Sequence, residues 1–208
     1  MPRLLDLFCG AGGAAMGYQR AGFEVVGVDI KPQKHFPFEF HEADAMTYPL
    51  DGFDVIHASP PCQGYSVLAA LHPGLKWQKL IIPLRDRLKK TGILYVIENV
   101  ETSPLDGVIL CGSFFKLGVE RGRLQRHRRF ESNVFLWGTP CNHYGKAVGV
   151  YGHGGHSGKH RMLYRQEAVE ALGIDWMNRD EMSQAIPPAY TEFIGRQLIE
   201  QLKPGVAF

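Results

Sequence analysis

The sequence predicts an α/β domain, a mostly parallel sheet with helices on both faces. Three observations predict it. Short apolar runs alternate with segments of helical spacing along the first half of the chain. A glycine-rich turn joins the first run to the first helical segment, as a strand-turn-helix unit requires. The 208 residues are 45% hydrophobic, enough apolar mass for a single domain over 1–208 and too much for a disordered or fibrous chain.

Arg3 to Phe8 reads as a buried strand entering the turn Cys9-Gly-Ala-Gly-Gly13. Ala14 to Ala21 suits a helix packed closely on a sheet, Gly22 stops it, and Glu24 to Asp29 is the next strand. Phe53 to Ala58, Ile93 to Glu98 and Val108 to Leu110 are further strands. A helix from Trp77 to Lys90 lies between two of them, its Pro83 marking a start or a kink. Arg126 to Phe130, if extended, puts Arg126, Arg128 and Phe130 on one face. Arg165 to Leu172 and Thr191 to Leu202 regain helical periodicity, the latter with Phe193, Ile194, Leu198 and Leu202 on one side. In an alternating fold of this kind, ligands bind outside the carboxyl ends of the strands.

The net charge of +2 hides an asymmetry: Arg121 to Gln166 holds nine lysines and arginines against Glu131 alone, the footprint of a polyanion site. Within it, 132–161 is rich in glycine and free of acids, and reads as an irregular basic insert. No apolar run reaches membrane-spanning length and no export signal is visible, so the cytoplasm is the expected address. The cysteines are too dispersed for a disulfide framework; Cys9, Cys111 and Cys141 read as structural. Cys141-Asn-His143 with His153, His156 and His160 could reach a zinc ion through a turn. That spacing matches no standard finger, and no metal is expected.

Three short motifs carry the chemistry. The turn Phe8 to Gly13 lets backbone N–H groups approach a ligand, and Asp29 ends the second strand where an acid binds ribose hydroxyls, a pairing that suits a nucleoside cofactor. Ser59-Pro-Pro-Cys-Gln63 holds Cys62 on a stiff loop at the same sheet edge, as a nucleophile needs, although a lone cysteine is more often inert. Glu98-Asn-Val100 closes an apolar strand with an acid that either caps the next segment or, partly buried, donates a proton near neutrality.

Taken together, Asp6-Leu-Phe-Cys-Gly-Ala-Gly-Gly13, Ser59-Pro-Pro-Cys-Gln63, Glu98-Asn-Val100 and Arg126-His-Arg128, in this order, resemble the DNA cytosine-5 methyltransferase family. Gln184-Ala-Ile-Pro-Pro-Ala-Tyr-Thr191 is similar to its last cofactor-binding motif. The resemblance implies a Rossmann-like S-adenosylmethionine-dependent methyltransferase fold and S-adenosylmethionine as methyl donor. Its catalytic set would be Cys62, adding to C6 of cytosine, Glu98 at the ring N3, and Arg126 and Arg128 orienting the base. Phe8, Gly10, Ala11, Gly12, Gly13 and Pro60 would contact the cofactor, Asp29 its ribose, Ile30 its adenine face and Asp44 the adenine amino group, with Tyr190 and Thr191 closing the pocket.

The implied partner is DNA, a duplex with one cytosine flipped out of the stack. Gln63, Arg121, Arg123, Arg129, Lys146, Lys159, Arg161 and Arg165 would hold it, with 132–161 acting as a reduced recognition lobe. Protection from restriction is a role such short forms suit. The family's arginine motif begins with glutamine two places before its first arginine, and here Gln125 stands one place late. A register through His127 and Arg129 is the alternative, and the shared parity of 126, 128 and 130 favours Arg126 and Arg128. The motifs do not name the sugar, so an RNA cytosine-5 methyltransferase remains open, as does a non-catalytic nucleic-acid-binding module on the same fold.

Overall fold

The computed structural model of the chain describes residues 1–66, 74, 76–151 and 161–203. β1 (Arg3–Leu7), α1 (Gly13–Ala21) and β2 (Glu24–Asp29) follow one another as the sequence predicts. Then come β3 (Glu39–Glu42), β4 (Val55–Ala58), α2 (Ile81–Lys89), β5 (Leu94–Val100), β6 (Val108–Leu110), β7 (Gly118–Val119), β8 (Gly122–Leu124) and β9 (Arg128–Ser132). The chain continues through β10 (Ala147–Gly149), β11 (Arg161–Met162), α3 (Arg165–Leu172), α4 (Arg179–Gln184) and α5 (Pro188–Gln201).

The main sheet has seven strands in the order β3-β2-β1-β4-β5-β9-β6. It is parallel from β3 to β5, and β9 runs antiparallel between β5 and β6. Chain order reverses at β1, so the carboxyl ends of β1 and β4 open onto a shared crevice. Alternation along β1 sorts its side chains. Leu4 joins Tyr18, Phe23, Val96, Ile194 and Leu198 on the α1 and α5 side, whereas Leu5 and Leu7 meet Ile56, Ile97, Ile81 and Leu84 beneath α2. Each fully buried Leu, Ile or Phe contributes roughly 1.5–3 kcal/mol.

Helix boundaries follow local chemistry. Gly22 ends α1 at φ +110°, its N–H reaching back to the carbonyls of Tyr18 and Gln19. α2 starts at Ile81 rather than Trp77, which leaves Pro83 in the first turn, where its missing N–H has no intrahelical partner to lose. α5 starts at Pro188, three residues earlier than its periodicity suggests, because proline is preorganised for the first helical position. α1 and α5 touch backbone to backbone at Gly17, where a Cβ would collide with Thr191 Oγ1 and the Pro188 carbonyl.

The basic region is more ordered than its composition suggests. β8 and β10 pair in parallel within a second sheet of order β11-β10-β8-β7. Val119, Leu124, Val148, Leu163, Ala168 and Leu172 form a separate apolar cluster around it. Among the described residues, no helix is long and apolar enough to cross a membrane.

Candidate active site

The loop after β4 is clamped from two sides. The Asn99 side-chain amide donates to the Pro60 carbonyl at 2.8 Å, and Thr102 Oγ1 donates to the Tyr65 carbonyl at 2.6 Å. Ile81 N–H, at the start of α2, donates to the Tyr65 hydroxyl at 3.2 Å. Cys62 is thereby fixed at the carboxyl edge of the sheet, half-buried, one residue before the short 3-10 turn Gln63–Tyr65. Burial pushes its thiol above the ordinary value, Glu98 adds to that, and Arg128 and then Arg126 pull it back.

Glu98 lies inside β5 rather than at its end, because β5 continues to Val100 and pairs with β9. The register sets Glu98 opposite Phe130 and Val100 opposite Arg128. Arg128 and Phe130 therefore share the face of Glu98, and Arg128 Nε stands 3.0 Å from Glu98 Oε1. Glu98 is 5% exposed; burial raises its carboxyl above the usual range, against the opposing pull of Arg128, a Ser59 hydrogen bond and Arg126. Burial thus makes Glu98 easier to protonate than an exposed carboxylate, as a proton donor to a bound base requires.

Arg126 is not part of the strand. It sits before β9 at φ +40°, its Nη2 donating to the Ser183 carbonyl at 2.6 Å, while the Tyr190 hydroxyl donates to the Arg126 carbonyl at 2.9 Å. The expected one-sided row of 126, 128 and 130 thus holds for the last two only. In the alternative register, Arg129 donates to the Glu101 carbonyl at 3.2 Å and His127 turns toward Cys141, so neither joins the ion pair at Glu98.

A polar chain that the motifs did not reveal runs beneath these groups. The Tyr18 hydroxyl lies 2.9 Å from His57 Nδ1, and His57 Nε2 lies 2.8 Å from Ser59 Oγ, which hydrogen-bonds Glu98. His57 is fully buried, and burial pushes it down to about 3, so it is neutral. A neutral ring accepting from Tyr18 at Nδ1 donates from Nε2, which frees the Ser59 proton for Glu98. A histidine inside an apolar strand gives no sequence signal for this role beyond its polarity.

The glycine turn has the shape of a nucleoside cradle. Phe8 (φ +59°), Gly10 (φ +49°) and Gly12 (φ +86°) adopt left-handed backbone, and a Cβ at Gly12 would press on Pro37 and Phe36. Asp29 accepts from Gly10 N–H and Lys31 N–H, both at 3.1 Å, leaving carboxylate lone pairs toward the crevice. Ile30 beside it is 68% exposed, an unusual state for isoleucine at a sheet edge. Asp44 caps its own turn, accepting from Met46 N–H at 2.8 Å. Ala11 is anchored by Trp176, whose indole N–H donates to its carbonyl at 2.9 Å. These donors and acceptors fit the ribose and adenine of S-adenosylmethionine.

Tyr190 and Thr191 depart from expectation. Both side chains are fully buried, Tyr190 supporting the Arg126 turn and Thr191 Oγ1 donating to the Ala14 carbonyl at 2.9 Å, so they brace α1 and the arginines rather than close a pocket. In the basic lobe, Arg121 is ion-paired with Glu167, and Arg123 stacks over Tyr144 at 5.3 Å from the ring centroid. A cleft of about 360 Å³ there is lined by Glu120, Arg121, Arg123, Tyr144 and Lys146, basic residues outnumbering the one acid. Arg165 opens α3, and Arg161 lies in β11. Lys159, His153, His156 and His160 lie outside the described residues. Cys111 and Cys141 meet His127 and His143 in one cluster.

Comparison with known proteins agrees with this geometry. Residues 2–102 match the family described as C-5 cytosine-specific DNA methylase. Type II methyltransferase M1.HphI of Haemophilus parahaemolyticus is 35% identical over 80 residues, covering 30% of this chain and 22% of that protein. Type II methyltransferase M.HgiDI of Herpetosiphon aurantiacus is 28% identical over 121 residues, covering 51% of this chain and 39% of that protein. The chain thus spans well under half the length of these two relatives. The crystal structure of S. pombe Dnmt2 methyltransferase superposes with a TM-score of 0.65 at 11% identity, covering 97% of this chain and 99% of that one, which establishes the shared methyltransferase fold. The glycine turn, the Cys62 loop and Glu98 all lie inside the segment that matches the C-5 cytosine-specific DNA methylase family.

Proposed function

We propose that this protein transfers a methyl group from S-adenosylmethionine to C5 of cytosine in DNA, through a covalent bond between Cys62 and C6 of a flipped base. One observation carries the reading: Cys62, Glu98 and Arg128 converge at the carboxyl edge of the sheet, beside a cradle suited to a nucleoside. The family of residues 2–102 and the relatives' names support the same chemistry.

C5 of cytosine is a poor nucleophile, and the chain's residues remedy that. Cys62 adds as thiolate to C6, forming a C–S bond, while Glu98 delivers its proton to N3, so the electron pair displaced from the ring collects at C5. Arg128, with Arg126 behind it, steadies the charge on the base. S-adenosylmethionine, when bound, supplies an electrophilic methyl on a sulfonium. Loss of the C5 proton to a base then expels Cys62 as thiolate, and N3 returns its proton to Glu98. Glu98 and Cys62 are coupled, because protonating the acid removes the negative charge that holds the thiol up. Arg123 and Lys146 are the basic-lobe side chains best placed for phosphates, with Arg121 partly neutralised by Glu167. A role in restriction-modification is the biological setting that the relatives' names favour.

The test is methyl transfer from labelled S-adenosylmethionine to duplex DNA and, separately, to tRNA, with the products digested to nucleosides. Labelled 5-methyldeoxycytidine from DNA is expected. Label in RNA alone overturns the choice of substrate, and label in neither, with acceptor binding intact, makes the protein a binding module.

A further inference from the structure

The strongest unassigned feature lies outside the crevice. Cys111, His127, Cys141 and His143 present their ligand atoms within 4.8 Å of one another. Cys111 Sγ is 3.3 Å from His143 Nε2, and His127 Nε2 is 3.3 Å from Cys141 Sγ. Around a tetrahedral zinc ion with ordinary bond lengths, sulfur and nitrogen ligands stand about 3.6 Å apart, so the cluster already has close to the required dimensions. We infer that these four side chains form a Cys2His2 zinc site, with all four positions filled by protein and hence a structural role.

Three separate segments deliver the ligands, which argues against a chance pairing. Cys111 follows β6, His127 sits in the turn before β9, and Cys141 and His143 come from the loop before β10. The segments are tied together independently: Gly112 N–H donates to the Gln125 carbonyl at 2.7 Å, and Asn142 N–H to Ser113 Oγ at 3.1 Å. His127 also has the outer partner that zinc-bound histidines commonly show. Its Nδ1 faces Glu101 Oε2 at 3.7 Å, an orientation that leaves the Nε2 lone pair for the metal. Two thiolates and two imidazoles are a soft set that selects zinc over magnesium or calcium.

The position gives the site a purpose. His127 stands between Arg126 and Arg128, so the ion would staple the arginine turn to the loop that leads into the basic lobe. The sequence singled out Cys141 and His143, but nothing in its spacing pairs them with Cys111 and His127, 30 and 14 residues before Cys141.

The experiment is elemental analysis of the whole chain purified without chelators, followed by cobalt substitution of the metal-depleted protein. One zinc per chain is expected, and cobalt should show intense tetrahedral d–d bands together with thiolate charge transfer. Cys141 and His143 are exposed, so Cys141→Ser and His143→Ala should fold and yet lose the zinc. Zinc-free protein that also fails to take up added zinc overturns the site, as does unchanged zinc in both variants. A mass deficit of two hydrogens, reversed by reductant and absent from Cys141→Ser, would instead mark a disulfide through Cys141 and overturn the site. None of these readouts depends on methyl transfer.

Discussion

Around Cys62, three charges compete. Glu98 raises its thiol while Arg128 and Arg126 lower it, so Glu98→Gln should move the pH midpoint of Cys62 alkylation by iodoacetamide downward, and Arg128→Gln should move it upward. A shift in the same direction for both would break the electrostatic account. His57 allows a second prediction. Its native value of about 3 lies below the ordinary 6.5, so an unfolded chain takes up a proton there that the folded one does not. Stability contributed by neutral His57 is therefore present above about pH 6.5 and is lost toward pH 3, at about 1.4 kcal/mol per pH unit. Asp6 and Glu98, whose native carboxyls are raised, work the opposite way above about pH 4. The informative comparison is His57→Gln, whose denaturation free energy should fall less steeply with acid than that of the unaltered protein; parallel curves would contradict it. Cys62 and Glu98 were legible because their motifs are contiguous. Tyr18 and His57 were not, since His57 sits inside an apolar strand and the contact that joins it to Tyr18 spans 39 residues of the chain.

Among the elements, α1 and α5 are locked by the absence of a side chain. Gly17→Ala would drive a Cβ into Thr191 Oγ1 and the Pro188 carbonyl, and it should destabilise the fold by about 1–3 kcal/mol, read as a lower midpoint in urea. An unchanged midpoint would mean that the helices part at no cost. The βα order, the parallel sheet and the edge carrying the Cys62 loop follow from hydrophobic period and glycine placement, both visible in sequence. β3 was not foreseen, for its Glu39-Phe-His-Glu42 is short, charged and at the sheet margin. The break at Arg126 was also hidden, because a left-handed arginine depends on Tyr190 and Ser183, which arrive from the far end of the chain. The basic lobe looked irregular by composition, yet its short strands gain order by pairing with β8 and packing under α3.

For the whole molecule, a net charge of +2 is distributed so that the region from Arg121 to Gln166 is strongly basic and the remainder acidic. Docked DNA should therefore depend on salt through the exposed members of that region. Changing Arg123 and Lys146 together to Gln should lessen the slope of log affinity against log salt by up to about 2, whereas Arg121→Gln, already paired with Glu167, should change it less. An unaltered slope would put the nucleic acid on another face. The central claim is that Cys62 attacks the base, and it is tested most directly by trapping. Fluorine at C5 cannot leave as a proton does, so the covalent complex persists on 5-fluorocytosine. Intact mass after incubation with S-adenosylmethionine and 5-fluorocytosine DNA should show a protein–DNA adduct that is absent in Cys62→Ala. An adduct that survives in Cys62→Ala, or no adduct from an intact protein that binds both DNA and cofactor, would contradict the account.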